Sequence, residues 1–159
     1  VILEGRLSVG DGTRFAVVAA RFNELVSERL VAGALRGLEE VGAPDPLIIW
    51  VPGALELAGT IQRLLDADDT VRGVVAAGAV IRGATDHYEV VAREASGALA
   101  RLGAQGRVPI ANALLTVDSM EQALDRSGGK HGNKGYEAAM VVVRVAELWA
   151  RLEATKWRE

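Results

Sequence analysis

Four short apolar runs constrain this chain more than anything else in it: Phe15 to Ala20, Leu47 to Val51, Val71 to Ala79 and Pro109 to Leu115. None keeps the strict polar–apolar alternation of a strand with one face in water, so each reads as a strand buried on both faces. Between them the apolar spacing changes to that of a helix. Val26, Leu30, Ala34, Leu38 and Val41 recur along one helical face, and Gly42 with Pro44 closes that helix. Ala54 to Leu65, His87 to Leu102, Ser119 to Arg126 (with Ser119 as N-cap) and Asn133 to Leu152 read as further helices. Strands that alternate with helices through short connections build a mainly parallel four-stranded sheet with helices on both faces. The expectation is a three-layer α/β/α sandwich. Val1 to Leu7 alternates weakly and reads as a detached N-terminal strand, set off by the turn signal Gly10-Asp11-Gly12, that pairs at home or with a neighbouring subunit. Ala154 to Glu159 is a polar tail.

The 159 residues suffice for one domain with a real core, and neither linker nor internal repeat divides residues 1–159. That core has three Trp, two Tyr and two Phe to draw on, so Ala, Val, Leu and Ile must fill it. A formal charge of -3 argues against a nucleic-acid partner, which calls for a basic stripe. Cysteine is absent, which excludes disulfides and thiol chemistry. With two histidines and no metal-ligand spacing, no metal site is expected. No apolar run nears the roughly 20 residues that span a bilayer. With no secretory pattern either, the expectation is a cytoplasmic protein without a membrane partner.

In open parallel sheets the ligand crevice lies outside the carboxyl ends of the strands. Four loops leave strand ends here: Arg21 to Asn23, Pro52 to Glu56, Gly78 to His87, and Thr116 to Asp118. The third organises the rest. Gly78-Ala79-Val80-Ile81-Arg82-Gly83-Ala84-Thr85-Asp86-His87-Tyr88-Glu89 runs from a strand through a small-residue turn into a helix N-terminus. Free N–H groups of such a terminus favour an anion, and an imidazole beside them trades protons near neutral pH. His87 is therefore either the proton carrier of a site or an idle first-turn histidine. Thr85 or Asp86 caps the helix, with Glu89 completing a capping box, or the turn cradles a phosphate; the two are compatible.

Gly53 and Ala54 let a flat ligand approach the backbone. Glu56 either accepts hydrogen bonds from hydroxyls or merely favours the helix dipole. Phe22 is core filler or a stacking surface. Arg126, Lys130, His131, Lys134 and Glu137 surround the glycine-rich loop Ser127 to Gly132, as a phosphate site built on Arg126 or as a solvated charged run. That loop lacks the P-loop pattern, and no G-x-G-x-x-G follows the first strand.

Taken together, five motifs resemble one family. Phe22-Asn23, Pro52-Gly53-Ala54-x-Glu56, Gly78-Ala79-Val80-Ile81-Arg82-Gly83-x-Thr85-x-His87, Pro109-Ile110 and Asn133-Lys134-Gly135-x-Glu137-Ala138-Ala139 look like lumazine synthase, in order and with compatible spacing from about Val1 to Leu152. Each is weak alone; the five in order are specific. The sequence departs from the family at Asp86 and Ala58, where Pro is common, and at Asn112, where many members carry an aromatic ring. None of these changes removes a catalytic group.

The resemblance implies a flavodoxin-like fold. It implies condensation of 5-amino-6-(D-ribitylamino)uracil with 3,4-dihydroxy-2-butanone 4-phosphate to 6,7-dimethyl-8-ribityllumazine, a step of riboflavin synthesis, with release of phosphate and no cofactor. It assigns proton transfer to His87. Phosphate goes to Arg126 with the Ala84 and Thr85 N–H groups, the ribityl chain to Glu56, and the flat ring to Phe22 and the backbone of Val80 and Ile81. Asn23, Gly53, Ala54 and Gly78 complete the substrate set. Asn112, Arg126 and Lys134 would come from a neighbouring subunit, with Glu137 orienting Arg126 by pairing with it. The implied partners are copies of the same chain, as a pentamer and, the Ser127 to Gly132 loop being short, an icosahedral sixty-subunit shell, together with riboflavin synthase. A non-catalytic or engineered cage or flavin-binding protein on this scaffold, and a flavodoxin-like phosphate- or nucleotide-binding module, are the competing readings.

Overall fold

The computed structural model describes residues 1–43 and 45–157; Pro44 and the last two residues of the tail, Arg158 and Glu159, lie outside the described residues. Strands β1 (Arg14–Ala20), β2 (Leu47–Val51), β3 (Val71–Ile81) and β4 (Ile110–Val117) form one sheet in the order β2-β1-β3-β4. All three pairings are parallel. The helices are α1 (Glu24–Glu40), α2 (Leu57–Ala67), α3 (His87–Ala104), α4 (Met120–Asp125) and α5 (Lys134–Ala154).

Successive strand residues point to opposite faces, and both faces are dry. Phe15, Val17 and Ala19 of β1 join Val75, Ala77, Ala113 and Leu115 beneath α1 and α5, where Leu30, Leu38, Ala139 and Val142 are fully buried. Ala16 and Val18 join Val74, Ala76 and Leu114 beneath α2 and α3, where Leu57, Ile61 and Leu99 cover them. The three-layer α/β/α sandwich follows.

β2 departs from the expectation of burial. As an edge strand it meets only β1, and Ile48 is 40% exposed. The stretch read as one helix from Ala54 divides into a 3₁₀ turn, Ala54–Glu56, followed by α2. The glycine-rich loop is an antiparallel hairpin, β5 (Ser127–Gly129) with β6 (Gly132–Asn133). β3 is longer than its apolar run suggests. β4 follows it as far as Ile81↔Val117, whereas β1 stops at Ala19↔Ala77. Gly78 to Ile81 therefore have a strand on one side only.

The N-terminal segment forms no strand here. It crosses α5 instead. The Arg6 N–H donates to Glu147 Oε2 at 2.9 Å, and Arg151 donates to the Glu4 carbonyl while its Nε stands 2.7 Å from Glu147 Oε1. At Gly5 a Cβ would fall 2.2 Å from the Arg144 carbonyl oxygen, so only glycine allows this crossing. The Arg6 N–H leads in holding the Glu147 carboxyl below its usual 4.5; burial opposes it, and the Arg151 guanidinium adds a smaller pull downward. A carboxyl depressed on folding stabilises the fold above its unfolded pKa, and that contribution is lost as pH falls through the folded value. The Arg6 amide is thus expected to stay protected at neutral pH and to lose that protection only as pH falls below the usual 4.5. Hydrogen-exchange mass spectrometry, corrected for intrinsic rates, checks this, and Glu147→Gln should loosen the segment already at neutral pH.

Candidate active site

Three of the four strand-end loops converge. The Arg21 N–H donates to the Val51 carbonyl and the Phe22 N–H to the Pro52 carbonyl, at 2.8 and 3.1 Å, which ties the first loop to the second. Asn23 joins the first to the third: its Nδ2 donates to the Ala79 carbonyl at 2.9 Å. It does so from φ 60, a left-handed conformation that Asn tolerates better than most residues. The Asn23 amide is thereby spent on the protein.

Between these loops lies an open pocket of about 280 Å³. Phe22 walls it from the first loop, and Gly53, Ala54, Leu55 and Glu56 from the second. Ala79, Val80 and Ile81 supply the floor from the overhanging end of β3. Gly83, Thr85, His87, Tyr88 and Val91 close it from the turn and the first turns of α3. Phe22 is 74% exposed, so the core-filler reading fails and a free aromatic face stands at the pocket. At Gly53 a Cβ would come 3.0 Å from Glu56 Oε2, which shows how closely that carboxylate lies over the backbone. Because β1 stops short, the backbone groups of Ile81, which alternation turns away from β4, are open beside Val80 to a ligand that pairs with backbone.

The turn is held from outside the pocket. Arg82 Nε donates to Asp118 Oδ1 at 2.9 Å, its Nη1 reaches Glu89 Oε1 at 3.5 Å, and its guanidinium stacks 4.5 Å from the Tyr88 ring centroid. The hydrogen bond to Asp118 leads in raising the Arg82 pKa above its usual value. Arg82 thus draws in the fourth loop and fixes both ends of the anion turn. Glu89 is engaged there, and Asp86 makes no side-chain cap, so the capping box is not formed. The His87 N–H reaches Thr85 Oγ1 at 3.4 Å. Arg82 and Tyr88 were not singled out from the sequence.

Not every expected residue reaches the pocket. Gly78 lies inside β3, where a Cβ would press on Ala20 and Leu114, and Ala84 is exposed on the turn. Asn112 lies on β4, its Oδ1 accepting from the Leu114 N–H at 2.7 Å. Arg126, Lys134 and Glu137 line a separate cleft of about 360 Å³ at the outer edge of β4, with His131 and Thr116. The expected pairing of Glu137 with Arg126 is not formed: among the described residues no ion pair joins them. Arg126 follows the last turn of α4, where carbonyls lack helical partners, and its Nη1 donates to the Gln122 carbonyl at 3.2 Å.

This second cleft is locked to α1 by Asn133. Its Oδ1 caps α5 by accepting from the Tyr136 N–H at 3.1 Å, and its Nδ2 donates to the Arg29 carbonyl at 3.0 Å. A Cβ on Gly33 would fall 2.1 Å from that Oδ1, so α1 carries glycine where Asn133 crosses it. The chain therefore bears two separate clefts, one with an imidazole, a carboxylate and an aromatic wall, the other with cations. Among the described residues no group of three His, Asp or Glu side chains is placed to hold a metal, and no helix is long and apolar enough to cross a membrane.

Comparison with known proteins matches residues 12–150 to a family described as 6,7-dimethyl-8-ribityllumazine synthase. A protein of that name from Thermotoga maritima is 45% identical over 145 residues, covering 90% of this chain and 87% of its own length. One from Halorhodospira halophila is 43% identical over 155 residues, covering 96% of this chain and 99% of its own. One from Kosmotoga olearia is likewise 43% identical over 155 residues.

Proposed function

This chain belongs to the 6,7-dimethyl-8-ribityllumazine synthase family, and from that premise we propose how its two half-sites perform the condensation. The enzyme joins 5-amino-6-(D-ribitylamino)uracil to 3,4-dihydroxy-2-butanone 4-phosphate and releases 6,7-dimethyl-8-ribityllumazine and phosphate. Residues 1–159 act as one domain. The pyrimidinedione stacks on Phe22 and pairs with the open backbone edge of Val80 and Ile81, and Gly53 and Ala54 allow its close approach. Glu56 receives the ribityl hydroxyls. Asn23 holds the Ala79 carbonyl and so sets the floor. The 5-amino group adds to the ketone and water leaves as the imine forms; phosphate is then eliminated, and ring closure expels a second water. Each step moves a proton, and His87 carries it.

One observation carries this reading. Arg126 and Lys134, which suit a phosphate, lie in a different cleft of the chain from His87. A repeated heterologous contact lets the cation cleft of one subunit, with Asn112, meet the His87 pocket of the next, where phosphate also receives the N–H groups at Ala84 and Thr85. In that ring Glu137 meets the substrate directly. Such contacts close into a ring, here a pentamer, and rings of this kind assemble into the sixty-subunit shell. A cytoplasmic location and association with riboflavin synthase belong to the same proposal.

The test is lumazine formation from the two substrates, followed by fluorescence, with mass photometry of the same sample. Turnover by assembled protein is expected. Absence of turnover overturns the activity, an active monomer overturns the shared site, and an active free pentamer overturns only the shell.

A further inference from the structure

The hairpin between α4 and α5 carries a histidine that the reaction above does not use. His131 sits at its tip and lines the cation cleft with Arg126, Lys134, Glu137 and Thr116. The tip folds back on α4: the His131 N–H donates to the Asp125 carbonyl at 2.7 Å, and its Nδ1 stands 3.9 Å from Asp125 Oδ2. The Asp125 side chain is about one-third exposed, at 31%. The Lys134 N–H also closes on the Arg126 carbonyl at 2.8 Å, so His131, Arg126 and Lys134 are held on one small frame.

Resting on the proposed function, we infer that His131 is a third phosphate-binding group of this cleft, and that it grips phosphate only while its imidazole is protonated. The reasoning concerns which nitrogen is committed. Asp125 Oδ2, 3.9 Å from Nδ1, is too far for a hydrogen bond, but its negative charge favours the neutral tautomer with the proton on that nitrogen. Nε2 then carries a lone pair and repels a phosphate oxygen. In the imidazolium both nitrogens donate, and Nε2–H becomes a charge-assisted donor to the anion. Imidazoles as a class change charge between about pH 5 and 8. The cleft therefore holds phosphate more firmly on the acid side of that range and lets it go on the alkaline side. The charged groups around His131 set how large the effect is. Those groups are Arg126, Lys130 and Lys134, which are positive, and Asp125 and Glu137, which are negative. Its side chain is half exposed, at 54%, so screening keeps the effect small.

Sulfate is the probe, because it stays doubly charged across this range and so reports only the protein's titration. Isothermal calorimetry on the assembled protein is expected to show sulfate binding about 3- to 10-fold tighter near pH 6 than near pH 8. His131→Gln should bind as the parent does at the higher pH and lose the gain at the lower. Asp125→Asn, which removes the carboxylate charge beside Nδ1, should weaken the response. His87→Gln should keep it, because on this assignment the imidazole that grips the anion is His131 and not the His87 of the facing pocket. Arg126→Ala should bind weakly at both pH values. If Arg126→Ala binds like the parent, the phosphate cleft itself is misassigned. If Arg126→Ala weakens binding while His131→Gln keeps the full response, or if His87→Gln abolishes it, the role of His131 is overturned.

Discussion

Replacing His87 by alanine is expected to slow lumazine formation by roughly 10- to 10⁴-fold, the scale of a positioned general acid–base group. The change should fall on turnover more than on substrate binding, because the pocket's binding surfaces come from other elements: Phe22 from the first loop, Glu56 from the 3₁₀ turn, Val80 and Ile81 from β3. It should also leave the fold intact. His87 is exposed at the first turn of α3, packs into neither core, and alanine is the better helix former. Steady-state kinetics with each substrate varied in turn separates kcat from KM, and mass photometry confirms assembly. A His87→Ala turnover within a factor of two of the parent would mean that another group, or solvent, moves the protons.

Much of this architecture was legible before the structure, and the parts that were not share a cause. Local pattern was enough for the strand–helix alternation, because a continuous apolar run and a 3.6-residue period are properties of one segment. It was not enough for β2, where edge or centre depends on which strands sit beside it. The N-terminal segment shows the same limit: weak alternation suggests a strand that pairs at home or with a neighbouring subunit, and within the subunit Gly5 and Glu147 bring it across α5 instead. The pocket's loops were found because parallel sheets gather their ligands at one end. What the sequence hid was how side chains are committed within the protein. The Asn23 amide goes to the Ala79 carbonyl, and Arg82 holds Asp118, Glu89 and Tyr88 at once. Arg126 reaches the Gln122 carbonyl rather than Glu137. Each is a contact between segments whose spacing carries no period.

Gly135→Ala is expected to be the most damaging small substitution in the chain. Gly135 is buried in the first turn of α5, where helix propensity alone favours alanine by about 1 kcal/mol. Packing decides the opposite sign. A Cβ at this position would lie 1.9 Å from the carbonyl oxygen of Leu30 and 2.7 Å from its carbonyl carbon. Those are backbone atoms in the middle of α1, and the Leu30 side chain is fully buried in the core beneath α1 and α5. No rotamer relieves the contact; α1 and α5 must separate by about an ångström, against interiors packed like crystals. Overpacking of this kind costs about 3 kcal/mol or more. The same separation breaks the Asn133 bond to the Arg29 carbonyl and shifts Lys134 and the hairpin, so the cation cleft is lost with the packing. Gly59 in α2 supplies the contrast, since a Cβ there meets nothing within 4 Å. Gly59→Ala should raise the melting temperature by a few degrees, from the roughly 0.5–1 kcal/mol gained when alanine replaces an unconstrained helical glycine. Differential scanning fluorimetry of the two variants beside the parent should show shifts of opposite sign. A Gly135→Ala protein that melts within about 2 °C of the parent and turns over normally would show that α1 and α5 are not held at the distance on which the second half-site depends.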